Sequence, residues 1–241
     1  MTRYLFLCFF LTSALFAAAQ APKDSLYERK EAMSIGASLT TRGGLIEGRW
    51  AFGMKKYQYL LVLDAALVKS MKEEKIRSWY APQRIGSDYY FGKLNRVTMI
   101  APTFGISRNI FPANHYNKIN ARADISAGPA FALLRPYFVN INTGGAVVEE
   151  SELPNSAQYS YEQIVGEVSP FKKLSTRQTV IGLSIRTALQ LNLTRMSSNI
   201  TAVQVGLNLD AFAKPLPIMA TEKNASVLLT ACIGMTWGKR W

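Results

Sequence analysis

Apolar and polar residues alternate along most of the chain with a period of two residues. The pattern is clearest in three consecutive stretches near the C-terminus, at positions 180–193, 202–213 and 226–238. In each stretch, one face carries branched and aromatic apolar side chains, and the other carries mainly small or polar ones. Alternation of this length is typical of β-strands whose two faces meet different surroundings. These stretches therefore predict three long strands.

The first half of the chain repeats the pattern less regularly. Five further alternating stretches lie at positions 33–40, 45–52, 59–67, 94–107 and 118–134. A turn at Arg42-Gly43-Gly44 separates the first two. The sequence thus predicts an all-β protein with eight strands.

The composition of the polar faces distinguishes two architectures. A water-soluble barrel or sandwich would expose faces rich in Lys and Glu, whereas a transmembrane barrel turns its polar faces inward and its apolar faces to lipid. Here the polar faces carry Gly, Ser, Ala and Thr with only a few charges, which suits the narrow interior of an eight-stranded barrel. We therefore predict a transmembrane antiparallel up-and-down β-barrel. A charge network is expected to fill its lumen as ion pairs, formed by Glu47, Arg49, Asp64, Arg122, Asp124, Arg186 and Asp210.

The last strand shows the two faces most clearly. Its apolar positions are predicted to face lipid, and its small and hydroxyl positions to face the lumen. The lipid-facing set is Val227, Leu229, Ala231, Ile233, Met235 and Trp237. The lumen-facing set is Ser226, Thr230, Cys232, Gly234 and Thr236.

The lengths of the connections favour the same architecture. The longest two, at positions 69–93 and 135–178, fall on one side of the predicted barrel, while the connections on the other side are shorter. Long extracellular loops and short periplasmic turns are typical of outer-membrane barrels. Because structureless loops of such length are uncommon, an extra hairpin within 135–178, around residues 137–141 and 158–165, is the alternative. That alternative gives ten strands and leaves room for a narrow pore.

The N-terminus indicates export. Arg3 precedes an apolar segment, and Ala17-Ala18-Ala19 offers a cleavage site, as in a secretory signal peptide. The predicted organisation is a cleaved signal peptide at 1–19, a periplasmic segment at 20–31 and the barrel at 32–241. Cleavage leaves Cys232 without a second cysteine, which excludes an intramolecular disulfide.

These features together resemble small bacterial outer-membrane barrels of the OmpA/OmpX-like kind. The C-terminal positions Ile233, Met235, Trp237 and Trp241 resemble the terminal strand that the barrel-assembly machinery reads. Segments 89–95 and 133–138 resemble blocks in other small barrels of Gram-negative bacteria. The resemblance implies a fold, a location in the outer membrane and a biogenesis partner. It implies no shared activity.

The formal net charge of +12 raises the question of acidic partners. Export and the lack of a clustered basic motif exclude nucleic acid. Six bases in the loop at 69–93 suggest lipopolysaccharide phosphates as partners, and outer-membrane lipid is expected around the wall. Other bases are predicted to form a periplasmic basic rim: Lys55, Lys56, Arg108, Lys118, Arg195, Lys239 and Arg240.

Candidate chemistry is sparse. His115 is the only histidine and is predicted in a periplasmic turn, away from any nucleophile at the outer rim. An acidic cluster at Glu149, Glu150 and Glu152 falls in a loop and is expected to be solvated. We predict no catalytic, cofactor or metal residues. The predicted function is a non-enzymatic envelope-structural or partner-interaction role through the long loops, and the alternative is a narrow pore or transport component for small solutes.

Overall fold

The structure is a computed structural model, and it describes residues 31–53, 57–78, 87–111, 120–142, 148–152, 161–169, 178–193, 199–220 and 224–240. The predicted signal peptide and most of the predicted periplasmic segment lie outside this part of the chain. No helix within these residues has the length and apolarity needed to cross a membrane.

Eight long antiparallel strands form a closed barrel. They are β1 (Glu31–Thr40), β2 (Gly43–Phe52), β3 (Tyr57–Val68), β6 (Asn95–Phe111), β7 (Asn120–Pro136), β11 (Gln178–Asn192), β12 (Asn199–Phe212) and β13 (Val227–Arg240). Their order around the barrel is β1-β13-β12-β11-β7-β6-β3-β2. Each strand pairs with its sequence neighbours in the wall, and β13 returns to pair with β1, for example Ile233 opposite Leu39. The predicted eight-stranded antiparallel barrel is confirmed.

Within the described residues, the connections contain five short strands. β4 (Lys75–Ile76) and β5 (Tyr89–Tyr90) form a small hairpin between β3 and β6. β8 (Phe138–Asn142), β9 (Val148–Glu152) and β10 (Ile164–Glu167) form a separate sheet in the order β10-β8-β9, and a 3₁₀ turn at Tyr161–Gln163 precedes β10. The loop between β7 and β11 therefore does contain extra strands. They do not join the wall, so the ten-stranded alternative is wrong.

The two ends of the barrel differ. The long connections β3–β6 and β7–β11 lie at one end, which we call the loop end. The first residue of β1 and the last residue of β13 lie at the other, the terminal end, together with the shorter connections that follow β2, β6 and β11. The predicted asymmetry in connection length is present.

Period-two alternation determines which side chains are inside. Large apolar residues face outward and remain exposed, among them Leu39 at 75%, Leu183 at 66% and Ile35 at 60%. The charged residues on the same strands face inward, with Glu47 at 0% and Arg186 at 2% exposure. The wall is thus apolar outside and polar at the middle of its interior.

Two apolar layers occupy the interior at either end. The terminal-end apolar layer consists of Ala32, Ala51, Leu60, Val62, Ile200 and Ala202. The loop-end apolar layer is larger and consists of Leu45, Ala66, Val68, Val97, Met99, Ala101, Ala130, Ala132, Leu134, Val180, Phe212, Leu216, Ile218, Met219 and Leu228. Three of its members, Leu216, Ile218 and Met219, come from the β12–β13 connection and not from the wall. We call residues 213–220 the strap.

Glycines allow close contact where the sheet turns and closes. Gly43 follows the β1–β2 turn with φ of 142°, and a Cβ there would collide with the carbonyl oxygen of Leu67. Gly234 faces inward at the β1–β13 seam, and its Cβ would collide with Ser38 Oγ and the backbone of Ala37. Closure of the barrel at this seam therefore requires a residue without a side chain.

We expect Gly234→Ala to destabilise the barrel by about 1–3 kcal/mol, the usual cost of overpacking. Gly48→Ala is the matched control, because nothing lies within 4 Å of the Cβ position at Gly48. Urea unfolding of both variants in detergent micelles, followed by tryptophan fluorescence, measures the difference. Equal stability of the two variants would contradict the close contact at the closing seam.

Candidate functional site

A cluster of charged side chains crosses the middle of the barrel. The Arg186 guanidinium on β11 forms ion pairs with Asp64 on β3 through Nη1 and with Glu47 on β2 through Nη2. In the barrel order, β2 lies diametrically opposite β11. Arg49 Nη2 on β2 lies 2.8 Å from Asp124 Oδ2 on β7. These ion pairs connect opposite walls through the interior. Together with Asp210, the paired residues Glu47, Arg49, Asp64, Asp124 and Arg186 form what we call the charged layer.

The positions of these residues follow from strand geometry. Glu47 and Arg49 are two residues apart on β2, so both point inward, and Arg49 Nε lies 3.7 Å from Glu47 Oε1. The register places Asp64 beside Glu47 on the neighbouring strand. On the other side of Glu47 stands Gly36, where a Cβ would lie 2.8 Å from Glu47 Cγ. Gly36 therefore makes room for the Glu47 side chain.

Uncharged polar residues extend the network around the barrel. Gln204 is fully buried, and its Nε2 donates to Ser38 Oγ at 2.9 Å. Its Oε1 accepts from Gln190 Nε2 at 3.3 Å and from Thr236 Oγ1 at 3.4 Å. Thr236 Oγ1 also lies 3.5 Å from Glu47 Oε1. Gln204 was not among the site residues predicted from the sequence. Its place on the polar face of an alternating strand was the feature that could have indicated it.

Not every expected lumen charge is in the same ion-pair cluster. Arg122 donates from Nη1 to Gln58 Oε1 at 3.0 Å, nearer the terminal end. Asp210 receives a hydrogen bond from Ser184, while its Oδ1 is buried and has no hydrogen-bond partner among the described residues. The charged layer therefore holds four carboxylates, of Glu47, Asp64, Asp124 and Asp210, against the guanidinium groups of Arg49 and Arg186.

The charged layer lies between the two apolar layers. Along β2 the inward positions run from Leu45 through Glu47 and Arg49 to Ala51, so apolar residues flank the charges on both sides. Within the described residues, His, Cys, Asp and Glu form no group of three or more that could hold a metal ion. Cys232 is a free, buried thiol that faces the interior at 3% exposure.

A second polar cluster lies at the loop end. Lys93 Nζ forms a 2.6 Å ion pair with Glu73 Oε2 and lies 4.6 Å from the centre of the Tyr90 ring. Arg96 forms an ion pair with Glu167 and lies 5.3 Å from the centre of the Tyr137 ring. Lys93 Nζ also lies 5.8 Å from the centre of the Tyr137 ring, and this contact joins the β3–β6 and β7–β11 connections. We call the described residues of the two connections, 69–78, 87–94, 137–142, 148–152 and 161–169, the cap.

The cap has an apolar core of its own. Tyr137 is 1% exposed, and its hydroxyl accepts a hydrogen bond from the Tyr90 backbone N–H at 3.0 Å. Burial raises the pKa of Tyr137 to about 12, and burial lowers the pKa of the Lys93 ammonium although Glu73 opposes that shift. The core consists of Tyr89, Tyr137, Val139, Ile141 and Ile164, with Ile76, Tyr90 and Phe91 packed against it.

The other predicted site residues are placed as follows. Val227, Leu229, Ile233, Met235 and Trp237 are exposed on the outer wall, whereas Thr230, Cys232 and Thr236 are buried. At the terminal end, the Arg108 guanidinium lies 5.7 Å from the Tyr57 ring, Lys239 is exposed and Arg240 is partly buried. Lys55, Lys56, Lys118, Arg195 and His115 lie outside the described residues. Glu149, Glu150 and Glu152 belong to β9.

The fold and the interior define a class of protein: a closed eight-stranded barrel, apolar outside, with buried ion pairs across its middle. No protein-family model matches the sequence, and no curated protein matches it.

Several solved structures are similar. Neisserial surface protein A matches at 8% identity over 88% of this chain and 96% of its own, with a TM-score of 0.40. The N-terminal β-barrel domain of Pseudomonas aeruginosa OprF matches at 9% identity over 88% of this chain and 98% of its own, with a TM-score of 0.35. Ail, the attachment invasion locus protein of Yersinia pestis, matches at 12% identity over 89% of this chain and 100% of its own, with a TM-score of 0.37.

We expect Arg186→Met to destabilise the barrel by about 3–5 kcal/mol, because it leaves buried Asp64 without its ion-pair partner and buried Glu47 with only the more distant Arg49. The control is Lys75→Met, which breaks the exposed Lys75–Asp88 pair and should cost less than about 1 kcal/mol. Urea unfolding in micelles compares the two. A cost for Arg186→Met no larger than that of the control would show that the pairs across the barrel do not support the wall.

The raised pKa of Tyr137 predicts a pH dependence of the cap. The neutral phenol is the form that the folded cap favours, so its stabilisation is fully present below the ordinary value of 10.0 and is lost as the pH rises toward about 12. An ultraviolet absorbance titration of the Tyr137→Phe variant should lack the ionisation step near pH 12. Tyr57→Phe, a change on the exposed outer wall, should retain that step. If both variants retain it, the buried phenol of Tyr137 is not its source.

Proposed function

We propose that the protein is a non-enzymatic β-barrel of a Gram-negative outer membrane, with an envelope-structural or partner-interaction role carried by its cap. The observation that carries this proposal is the inverted distribution of side chains: ion pairs lie at the centre, and rows of large apolar residues cover the outside. Soluble monomers rarely expose continuous apolar patches above a few hundred Å². A surrounding hydrocarbon phase removes the free-energy cost of exposing these apolar residues to water.

The outer wall also carries an aromatic cluster near the terminal end. Trp50 and Phe52 have ring centres 5.3 Å apart, Phe52 and Tyr59 follow at 5.9 Å, and Tyr59 stacks on Phe104 at 5.9 Å. Aromatic belts at the boundary between hydrocarbon and headgroups are typical of barrels in this setting. The cluster supports a membrane boundary at the terminal end, which would face the periplasm.

Export and assembly complete the proposal. Residues 1–19 would act as a cleaved signal peptide, and the barrel-assembly machinery would insert the barrel through its last strand. Accumulation of the precursor when signal peptidase is inhibited, and of unfolded protein when the assembly machinery is depleted, measures these two steps.

The cap is the surface proposed to meet partners. Its own core and its ion pairs hold the described parts of the two connections together, so a partner would bind a preformed surface there. Cross-linking in intact cells, followed by purification from outer membranes, tests whether a partner lies against the cap.

Lipopolysaccharide is proposed as a lipid partner at the loop end. Arg42 and Lys69 are adjacent, since the Lys69 backbone N–H donates to the Arg42 carbonyl at 2.7 Å, and exposed Lys72 follows. They stand beyond exposed apolar Leu39 and Leu67, at the height where lipid phosphates would lie. Binding of purified lipopolysaccharide that weakens as salt is added would support the contact.

The narrow pore is the less favoured alternative. Side chains of the charged layer span the lumen, and apolar side chains fill it on both sides. A wall of eight strands leaves an interior that side chains can fill. Recordings in planar bilayers discriminate the two functions, because stepwise conductance would favour the pore.

We expect Ile233→Arg to cost about 2–4 kcal/mol of stability in phospholipid vesicles, since it would place a charge near the bilayer midplane. Ile233 is 57% exposed on the outer wall. The matched control is Met71→Arg, because Met71 is 69% exposed but lies in the β3–β6 connection beyond the wall. Urea unfolding in vesicles measures both.

Fractionation and gel migration provide the independent check. The native protein should sediment with outer membranes, and its folded form should migrate differently from the heated form. Recovery as a soluble periplasmic monomer, with Ile233→Arg no more costly than Met71→Arg, would overturn the membrane location.

A further inference from the structure

The hydrogen-bond ladder between β6 and β7 is interrupted near the middle of the wall. The ladder pairs Ile100 with Phe131 and resumes only at Phe104 opposite Ala127. In this register Pro102 and Pro129 stand directly opposite each other, and proline has no backbone N–H to donate.

The two prolines weaken this seam and no other. β3 pairs with β6 continuously through Leu63 and Pro102, and β11 pairs with β7 continuously through Leu183 and Pro129. Successive residues of a strand direct their N–H and C=O groups alternately toward one neighbouring strand and the other. Because pairing with β3 and β11 continues past the prolines, the two missing N–H groups are those that would point into the β6–β7 seam. Two ladder hydrogen bonds are absent there. In a bilayer, this is an expensive place to lose them, since no water replaces them.

Small residues lie behind the seam. Ala101 and Ala130, both at 0% exposure, face inward next to the prolines on the side of the loop-end apolar layer. On the side of the charged layer, Thr103 Oγ1 donates to Ser126 Oγ at 3.1 Å across the same two strands. Beside the apolar layer, the β6–β7 seam therefore lacks ladder pairing and carries only small inward side chains, whereas a hydroxyl pair bridges the two strands beside the charged layer.

The loop-end apolar layer is closed along the barrel axis. The charged layer lies below it, and the strap covers it above. The wall positions Ala66, Ala101, Ala130 and Ala132 are small, and the larger strap side chains fill the space between them. Among the described wall strands, the β6–β7 seam is the boundary of this layer at which the ladder is interrupted by two prolines.

The strap is not a strand of the barrel sheet, but main-chain bonds connect it to wall strands. The Ala213 N–H donates to the Ile181 carbonyl on β11 at 3.0 Å, and the Asn95 N–H on β6 donates to the Ile218 carbonyl at 3.3 Å. Main-chain bonds attach it to the segment before β6: the Leu94 N–H donates to the Ile218 carbonyl at 2.9 Å, and the Ala220 N–H donates to the Gly92 carbonyl at 2.7 Å. Its apolar side chains are thus inserted into the barrel from a loop. Hydrocarbon of the same chemistry could occupy the same space.

Resting on the membrane location proposed above, we propose that the β6–β7 seam admits one alkyl chain from the bilayer into the loop-end apolar layer, where the chain replaces strap side chains. The ligand class is a single saturated hydrocarbon chain, supplied either by a membrane lipid or by a free fatty acid.

The test uses the full-length mature protein in phosphatidylcholine vesicles that contain a photoactivatable chain. One arm uses a diazirine-bearing fatty acid, and the other uses phosphatidylcholine with the same diazirine on one chain. After irradiation, peptide mass spectrometry locates the labelled residues. We expect label on outward residues such as Leu63 and also on inward Met99, Ala130 and strap Met219. Interior label in both arms assigns the site to lipid chains, and interior label from the fatty acid alone assigns it to a free amphiphile.

The decisive variant is Pro102→Val together with Pro129→Val, which restores both donors at outward positions. Two restored hydrogen bonds should lower the interior labelling by about tenfold. Pro102→Val alone restores one donor and should give an intermediate decrease, which keeps the test valid if the double variant does not fold. Ile185→Val with Leu209→Val is the matched control, because this outward pair lies on the continuous β11–β12 ladder and should leave interior labelling unchanged.

Label confined to outward residues would overturn this proposal and leave the membrane location intact. Interior label that persists undiminished in the double proline variant would exclude the seam as the route. Absence of label on the outer wall as well would overturn the membrane location itself.

Discussion

The ion pairs that Arg186 makes with Glu47 and Asp64 are the interaction on which the rest of the structure depends. A closed sheet with period-two alternation cannot avoid an interior, and here the inward positions include charges that would be very costly if left alone. Because β11 and β2 face each other across the barrel, the pairs neutralise charge and hold opposite walls together. Gly36 leaves room for the Glu47 side chain, and the Gln204 amide extends the polar network through its hydrogen bond to Ser38.

The apolar layers on either side of the charged layer make the pairing of its charges more necessary. Apolar side chains exclude water from the ion pairs, so the carboxylates must find their partners within the protein. The strap extends this exclusion at the loop end, where alanines on the wall would otherwise leave space unfilled. An interior organised in this way supports a rigid barrel and argues against passage of water or ions along its axis.

In the function that we propose, binding takes place at the surfaces of the protein and not along the axis of the barrel. In the cap, Lys93 and the buried tyrosines join the described parts of two connections, and Arg96 attaches the cap to the wall. The outer wall, in the proposed bilayer, meets lipid along continuous ladders except at the β6–β7 seam. Of the two apolar layers among the described residues, the larger lies directly behind that interruption, which connects an irregularity of the wall with the lipid-binding role that we propose.

The sequence by itself determined the strands and their faces. Alternation requires only neighbouring residues, so the inward parity of Glu47, Arg49 and Asp64 and the outward parity of Ile233 and Trp237 could be predicted without any long-range contact. The eight-strand count followed from the same pattern. Tertiary structure decided which inward charges meet across the lumen, which alternation alone cannot determine. Arg122 lies with Gln58, while Asp124 lies with Arg49. Tertiary structure also decided that the long loop builds a separate sheet instead of two more wall strands. It also brought Pro102 opposite Pro129. These features depend on register and on closure between strands far apart in sequence, and no local pattern carries that information.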